Sequence, residues 1–190
     1  GKLEMFEATP VGVVRLAKDL SVKKINNDII NNIGNIRFSG EISGFISKLV
    51  MFGKLTSDIG SVNADMLLAR DNGINYKGGI KSDSLNIAKL LPGKRLGNVG
   101  FNLILNGASD NYANKGKVSG CFRHLQYCDY EYDDINIDGR FYNKSFNGEI
   151  SLNDSNAVFS LNGKMDFSRR RKVFGIRLKG ENIHVNALNL

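Results

Sequence analysis

Two histidines, two cysteines, a run of acids and a run of arginines are the residues through which this chain could do chemistry. His124 and His184 stand far apart, and neither sits in a Cys/His spacing that would bind zinc. Ser21-Val22-Lys23-Lys24 has the S-x-x-K spacing of an acylating serine, but no K-T-G or S-D-N follows it. Asp129, Glu131 and Asp133 share one parity of a strand, with Asp134 beside them. Oxygen ligation of a cation is one use for them. The reading favoured here is a solvated strand face with Tyr130 and Tyr132 turned inward. Arg169-Arg170-Arg171-Lys172 could meet phosphates or anionic headgroups, but it reads more simply as a solvated turn. No phosphate loop or G-x-G-x-x-G occurs, and no aromatics interleave with the basic run as nucleic-acid binding would want. Cys121 and Cys128 fall on one extended segment, about 20 Å apart, too far for a disulfide. The expectation is no enzyme, no metal, no cofactor and no nucleic acid.

The elements that carry these residues are strands. The chain has 190 residues with 21 Gly, 2 Pro and no Trp, and 42% of it is hydrophobic. That is enough apolar material for a core and excludes a disordered tail. The formal charge of +7 permits acidic partners without requiring them. No apolar run approaches the ~20 residues of a membrane-spanning helix, and no signal-peptide pattern opens the chain. Gly1 in place of an initiator Met is what a piece of a longer protein would show.

From residue 34 onward apolar and polar residues alternate, as in Ile36-Phe38-Gly40-Ile42 and Val99-Phe101-Leu103-Leu105. Short turn signals such as Asp71-Asn72-Gly73 separate the runs. Connections this short predict antiparallel neighbours, hence an all-β antiparallel meander. Helical turns are expected at Asn26–Ile33, stopped by Gly34, and at Ser84–Leu91, with Ser84 as N-cap. A third is expected in the tail from Ile183 to Leu190. Residues 1–33 form a lead-in of uncertain structure, with Val11, Val13 and Val14 as possible strand; residues 34–190 form the β domain.

Six glycines, Gly40, Gly78, Gly120, Gly139, Gly148 and Gly163, occupy the apolar parity inside strands. Glycine there marks a bend or a close backbone approach. Two architectures meet this: a sheet curled sharply along a crease, or a sandwich whose sheets approach at the glycines.

The order of short motifs carries a family resemblance. Gly34-Asn35-Ile36-Arg37-Phe38-Ser39-Gly40 leads to Phe52-Gly53-Lys54-Leu55-Thr56-Ser57-Asp58-Ile59-Gly60. Asn86-Ile87-Ala88-Lys89-Leu90-Leu91, Asn143-Lys144-Ser145-Phe146-Asn147-Gly148 and the closing Ala187-Leu188-Asn189-Leu190 follow. Over residues 34–190 this resembles a mid- to C-terminal stretch of the TamB family, AsmA-like inner-membrane subunits of the translocation and assembly module. The resemblance implies a periplasmic segment of a protein anchored in the inner membrane elsewhere. It further implies a β-taco, an elongated trough with an apolar inside, or in looser form an open sandwich. It implies roles in outer-membrane biogenesis and in moving phospholipid between the two membranes. An outer-membrane β-barrel assembly factor of the TamA/BamA class would be the family's partner, though not through this stretch.

On that reading phospholipid acyl chains would meet Ile36, Phe38, Ile42, Val62, Met66, Tyr76, Ile80, Val99, Phe101, Leu103, Phe122, Ile137, Phe141, Phe146, Ile150, Phe159, Leu161, Phe174 and Ile176. The six glycines would form the crease. Two other functions fit the same strands. One is a chaperone-like scaffold offering its edges to outer-membrane strands; the other is a structural or adhesion β-sandwich.

Overall fold

A computed structural model describes residues 2–12, 15, 27–45, 47–71, 73–91, 93–110, 112–168, 173–181 and 183–184. It is all-β: eleven strands in one open antiparallel sheet, each paired with its neighbours in sequence. The strands are β1 (Lys2–Ala8), β2 (Ile36–Phe45), β3 (Lys48–Ser57), β4 (Gly60–Arg70), β5 (Ile74–Asn86), β6 (Leu96–Ser109), β7 (Asn114–Tyr127), β8 (Tyr130–Tyr142), β9 (Ser145–Asp154), β10 (Ala157–Asp166) and β11 (Val173–Glu181). Alternation and two-residue turns produce this order directly, because a tight turn can only return the chain antiparallel to the strand it left.

The lead-in contributes more than its sequence announces. β1 pairs with β2, and Phe6 stacks on Phe38 with ring centroids 5.5 Å apart. Helix α1 (Asn27–Ile33) follows, and Gly34 at φ 74° closes it, its amide donating to the Ile30 and Asn31 carbonyls. Val11 lies in a helical turn rather than a strand, while Val13 and Val14 lie outside the described residues.

The helix expected at Ser84–Leu91 is corrected. Ser84 belongs to β5, because Leu85 and Asn86 still pair with Val99 and Asn98 past a bulge. Only Ile87–Lys89 turns, as one 3-10 turn, and its N-cap Asn86 makes no side-chain cap bond. Ladder hydrogen bonds to β6 outcompete a cap that would satisfy a single amide. Ser21–Lys24, Arg169–Lys172 and residues 185–190 of the tail lie outside the described residues; Ile183 and His184 are not helical.

Burial is sparse for this length. Twelve apolar side chains are buried among the described residues, and six of them form two separate clusters rather than one core. Val99, Phe101 and Leu103 centre the first, and Tyr132, Leu152 and Ala157 the second. Val62 on β4 and Ile137 on β8 both pack against the β6 cluster across an intervening strand. Strands two apart sit about 9.6 Å from each other in a flat sheet, so contact over that span reflects inward curvature. The accessible surface is 12621 Å², against about 9,000 Å² for a compact monomer of this mass. One open, curled layer accounts for the excess.

Candidate functional site

The register places all nineteen apolar positions and all six glycines on one face. Antiparallel partners share a face, so each cross-strand row can be followed from β2 to β11. One central row runs Ile42, Met51, Met66, Gly78, Leu105, Val118, Gly139, Gly148, Gly163, Ile176. The adjacent row runs Gly40, Gly53, Ala64, Ile80, Leu103, Gly120, Ile137, Ile150, Leu161, Leu178. Aromatics flank these two rows, in which seven glycines and Ala64 stand among larger aliphatics, on both sides. Tyr76, Phe141, Phe146 and Phe174 stand in the row beyond the first. Phe38, Val62, Phe101, Phe122 and Phe159 stand in the row beyond the second. Ile36 pairs with Ala8, and Val99 pairs with Leu125 past a bulge.

Two glycines on the midline show where the next strand leaves no room for a side chain. Gly78 has φ 150° and Gly120 has φ 137°, and a Cβ on either would overlap the carbonyl of Asp65 or Asn102 on the next strand. Other glycines are seats for rings. A Cβ at Gly116 would stand 2.9 Å from Phe141 Cζ, one at Gly53 2.9 Å from Phe38 Cζ, and one at Gly107 2.7 Å from the Tyr76 hydroxyl. The ring tips reach over neighbouring glycines, where a side chain would collide with them.

The face is only partly shielded. Phe38, Met66, Val99, Phe101 and Leu103 are buried, twelve of the nineteen are half-buried, and Phe174 and Ile176 are exposed. Exposure of the last two follows from β11 being an edge strand, exposed along all nine residues. Leu105, Val118, Ile135 and Leu152, on the expected apolar parity, join the same face, and so do Leu49, Met51 and Leu55 of β3, whose alternation the sequence does not reveal. β3 hid its parity because Val50 and Phe52, apolar too, point the other way and are exposed.

The acids of β8 do not converge. Among the described residues no group of three His, Cys, Asp or Glu side chains could hold a metal. Asp129, Glu131, Asp133 and Asp134 are exposed, while Tyr132 is buried and Tyr130 half-buried against it, rings 4.7 Å apart. Asp134 at φ 49° interrupts the alternation and turns the tyrosines inward. The buried acid is Asp154, on the neighbouring β9. It accepts from the Tyr130 hydroxyl, from the Asn156 amide (2.9 Å) and from the Asp133 amide (3.1 Å). Burial pushes its carboxyl up, but these bonds and one from Ser155 prevail and hold it below the usual range.

A carboxyl lowered in the folded state stabilises above its unfolded pKa of about 3.9 and loses that stabilisation as pH falls through its folded value. Asp133 has the opposite sign: desolvation first, then Glu131, Asp154 and Asp134, raise it, so its contribution fades as pH rises through the raised value. Asp154→Asn is expected to cost about 1–3 kcal/mol at pH 7, because its amide group must aim a donor at another donor. Urea unfolding at pH 7 and at pH 2 tests this; an undiminished difference at pH 2 would contradict it. Cys121 and Cys128 are both free thiols.

The site is therefore a surface: an apolar, glycine-lined face of an unclosed sheet. No protein-family model, curated protein or solved structure matches the chain.

Proposed function

We propose that this chain is a periplasmic stretch of a TamB-like protein whose apolar trough shields phospholipid acyl chains between the inner and outer membranes. One observation carries the reading: a single apolar face, with glycines recurring along its aliphatic midline and aromatics on its flanks, runs across ten consecutive strands and stays half-exposed over much of its extent. A monomer in water rarely leaves so large a contiguous apolar area uncovered. Acyl chains gain about 0.8 kcal/mol per CH₂ moved out of water, so such a face lowers the cost of carrying lipid without any catalytic step. The mechanism is passive and non-enzymatic.

The chain purified without detergent and extracted with organic solvent is expected to yield phospholipid by mass spectrometry. Ile137→Asp with Ile150→Asp, both half-buried on the midline, is expected to reduce that yield several-fold while circular dichroism keeps its strand signal. Repeated extraction of lipid-free, folded protein would refute the proposal.

A second reading, strand augmentation for outer-membrane barrel proteins, is favoured by the outer edge of β11, which no other described strand pairs. Photocrosslinking from Arg177 to an unfolded barrel strand, with none from Ile137 to lipid, would select it.

A further inference from the structure

Because the strands alternate in direction, the connections β2–β3, β4–β5, β6–β7, β8–β9 and β10–β11 all leave the sheet along one rim. Each presents a large side chain to solvent: Phe45 (79% exposed), Ile74 (44%), Tyr112 (91%), Tyr142 (57%) and Phe167 (45%). Behind them, on the polar face, Lys77, Lys117, Arg140 and Lys164 stand in one cross-strand row interrupted only by Asn106 and Asn147. Lys117 lies 3.6 Å from Asp138 in an exposed pair. Lys48, Arg70, Lys115 and Lys144 lie nearer the tips. Acids are few there: Asp71, Asp110, which accepts from the Tyr112 and Ala113 amides, and Asp166, which accepts from Ser168. The opposite rim carries five acids, Asp58, Asp129, Glu131, Asp133 and Asp134, beside the exposed Lys89, Lys94 and Arg95, and its exposed large side chains among the described residues include no aromatic.

We propose that the Phe45–Phe167 rim docks on an anionic phospholipid bilayer. Aromatic and aliphatic tips suit the headgroup layer, where rings with a polar end settle, and an interfacial element buries its apolar side by about 5–10 Å. The basic row stands about three residues behind the tips, roughly 10 Å, at the height of the headgroup charge and within a Debye length of it. It spans six strands, roughly 24 Å, so several phosphates are met at once. A nucleic acid would need aromatics set among the basic residues as stacking platforms, whereas here the aromatics stand apart at the tips. Docking uses the tips, of which Ile74 and Phe167 lie on the parity of the apolar face, together with the basic row of the polar face, and it lays this rim along the bilayer surface. It stands independently of the lipid-shielding proposal.

The chain has no Trp, so Tyr112→Trp and Leu91→Trp place single reporters on the two rims. With vesicles of phosphatidylglycerol and phosphatidylcholine, emission of the Tyr112→Trp reporter is expected to shift to the blue, and the shift to fade with salt. The Leu91→Trp reporter is expected to stay unmoved, as are both with phosphatidylcholine alone. Lys77→Glu, Arg140→Glu and Lys164→Glu together are expected to weaken vesicle binding about a hundredfold. Lys54→Glu with Lys94→Glu is expected to leave binding unchanged. No shift, equal shifts from both reporters, equal response to neutral vesicles, or preference for an oligonucleotide would overturn the proposal. A rim response from lipid-free protein would sustain it while refuting the lipid-shielding reading; bound lipid without a rim response would do the reverse.

Discussion

Gly120→Val is expected to destabilise the sheet by about 3–6 kcal/mol, combining a strained backbone with overpacking. Its φ of 137° is one a β-branched residue resists, and the new Cβ would overlap the Asn102 carbonyl and stand 3.0 Å from the Leu103 Cα. Backbone on a central strand cannot move aside without breaking the β6–β7 ladder. Against a typical total of 5–15 kcal/mol, a loss of this size leaves a marginal or unfolded protein. Gly79→Ala is the internal control. Gly79 is adjacent in sequence to Gly78 but faces the other way, and its nearest neighbour would be 3.9 Å from a Cβ. That change is expected to stay within about 0.5 kcal/mol. Chemical denaturation of both variants decides the matter, and equal midpoints would remove the midline from any structural role. Strands here contact chiefly their sequence neighbours, as in a repeat array. Hydrogen exchange in the Gly120 variant should therefore quicken first in β6, β7 and β8.

Phe38→Ala is expected to cost about 3–5 kcal/mol, with consequences concentrated at the other end of the sheet. Phe38 is fully buried, stacked on Phe6 and lying over Gly53. It joins the edge strand β1 to β2 and β3. Removing the ring leaves a cavity over bare glycine and takes from β1 its aromatic partner. Faster amide exchange in β1 than in β10 is the expected signature. Uniform loosening of all eleven strands would show instead that the sheet unfolds as one unit.

Much of the architecture is legible along the chain because alternation and short turns act locally. The strands from β4 to β10, the antiparallel order and the glycines' parity need only period two and Gly/Asn/Asp turn chemistry. Three features resist that reading for identifiable reasons. β1 lies in a stretch with no alternating partner nearby, so its pairing with β2 depends on a contact across the lead-in. β3 is apolar on both parities at Leu49, Val50, Met51 and Phe52, which erases the periodic signal. Ser84 carries a capping side chain, yet the β5–β6 bulge keeps it in a strand.

The residues alone determined that this is an antiparallel all-β chain with one apolar parity, with glycine recurring on it. Tertiary structure decided what those glycines do, because register depends on hydrogen bonds and bulges between strands, and a shift of one residue would reverse every face. It aligned Gly40, Gly78, Gly120, Gly139, Gly148 and Gly163 in two adjacent rows and laid aromatic rings over other glycines beside them. It also gathered residues as distant as Phe45 and Phe167 onto one rim. Neighbourhood along a rim is set by strand direction across the whole sheet, and no local pattern encodes it.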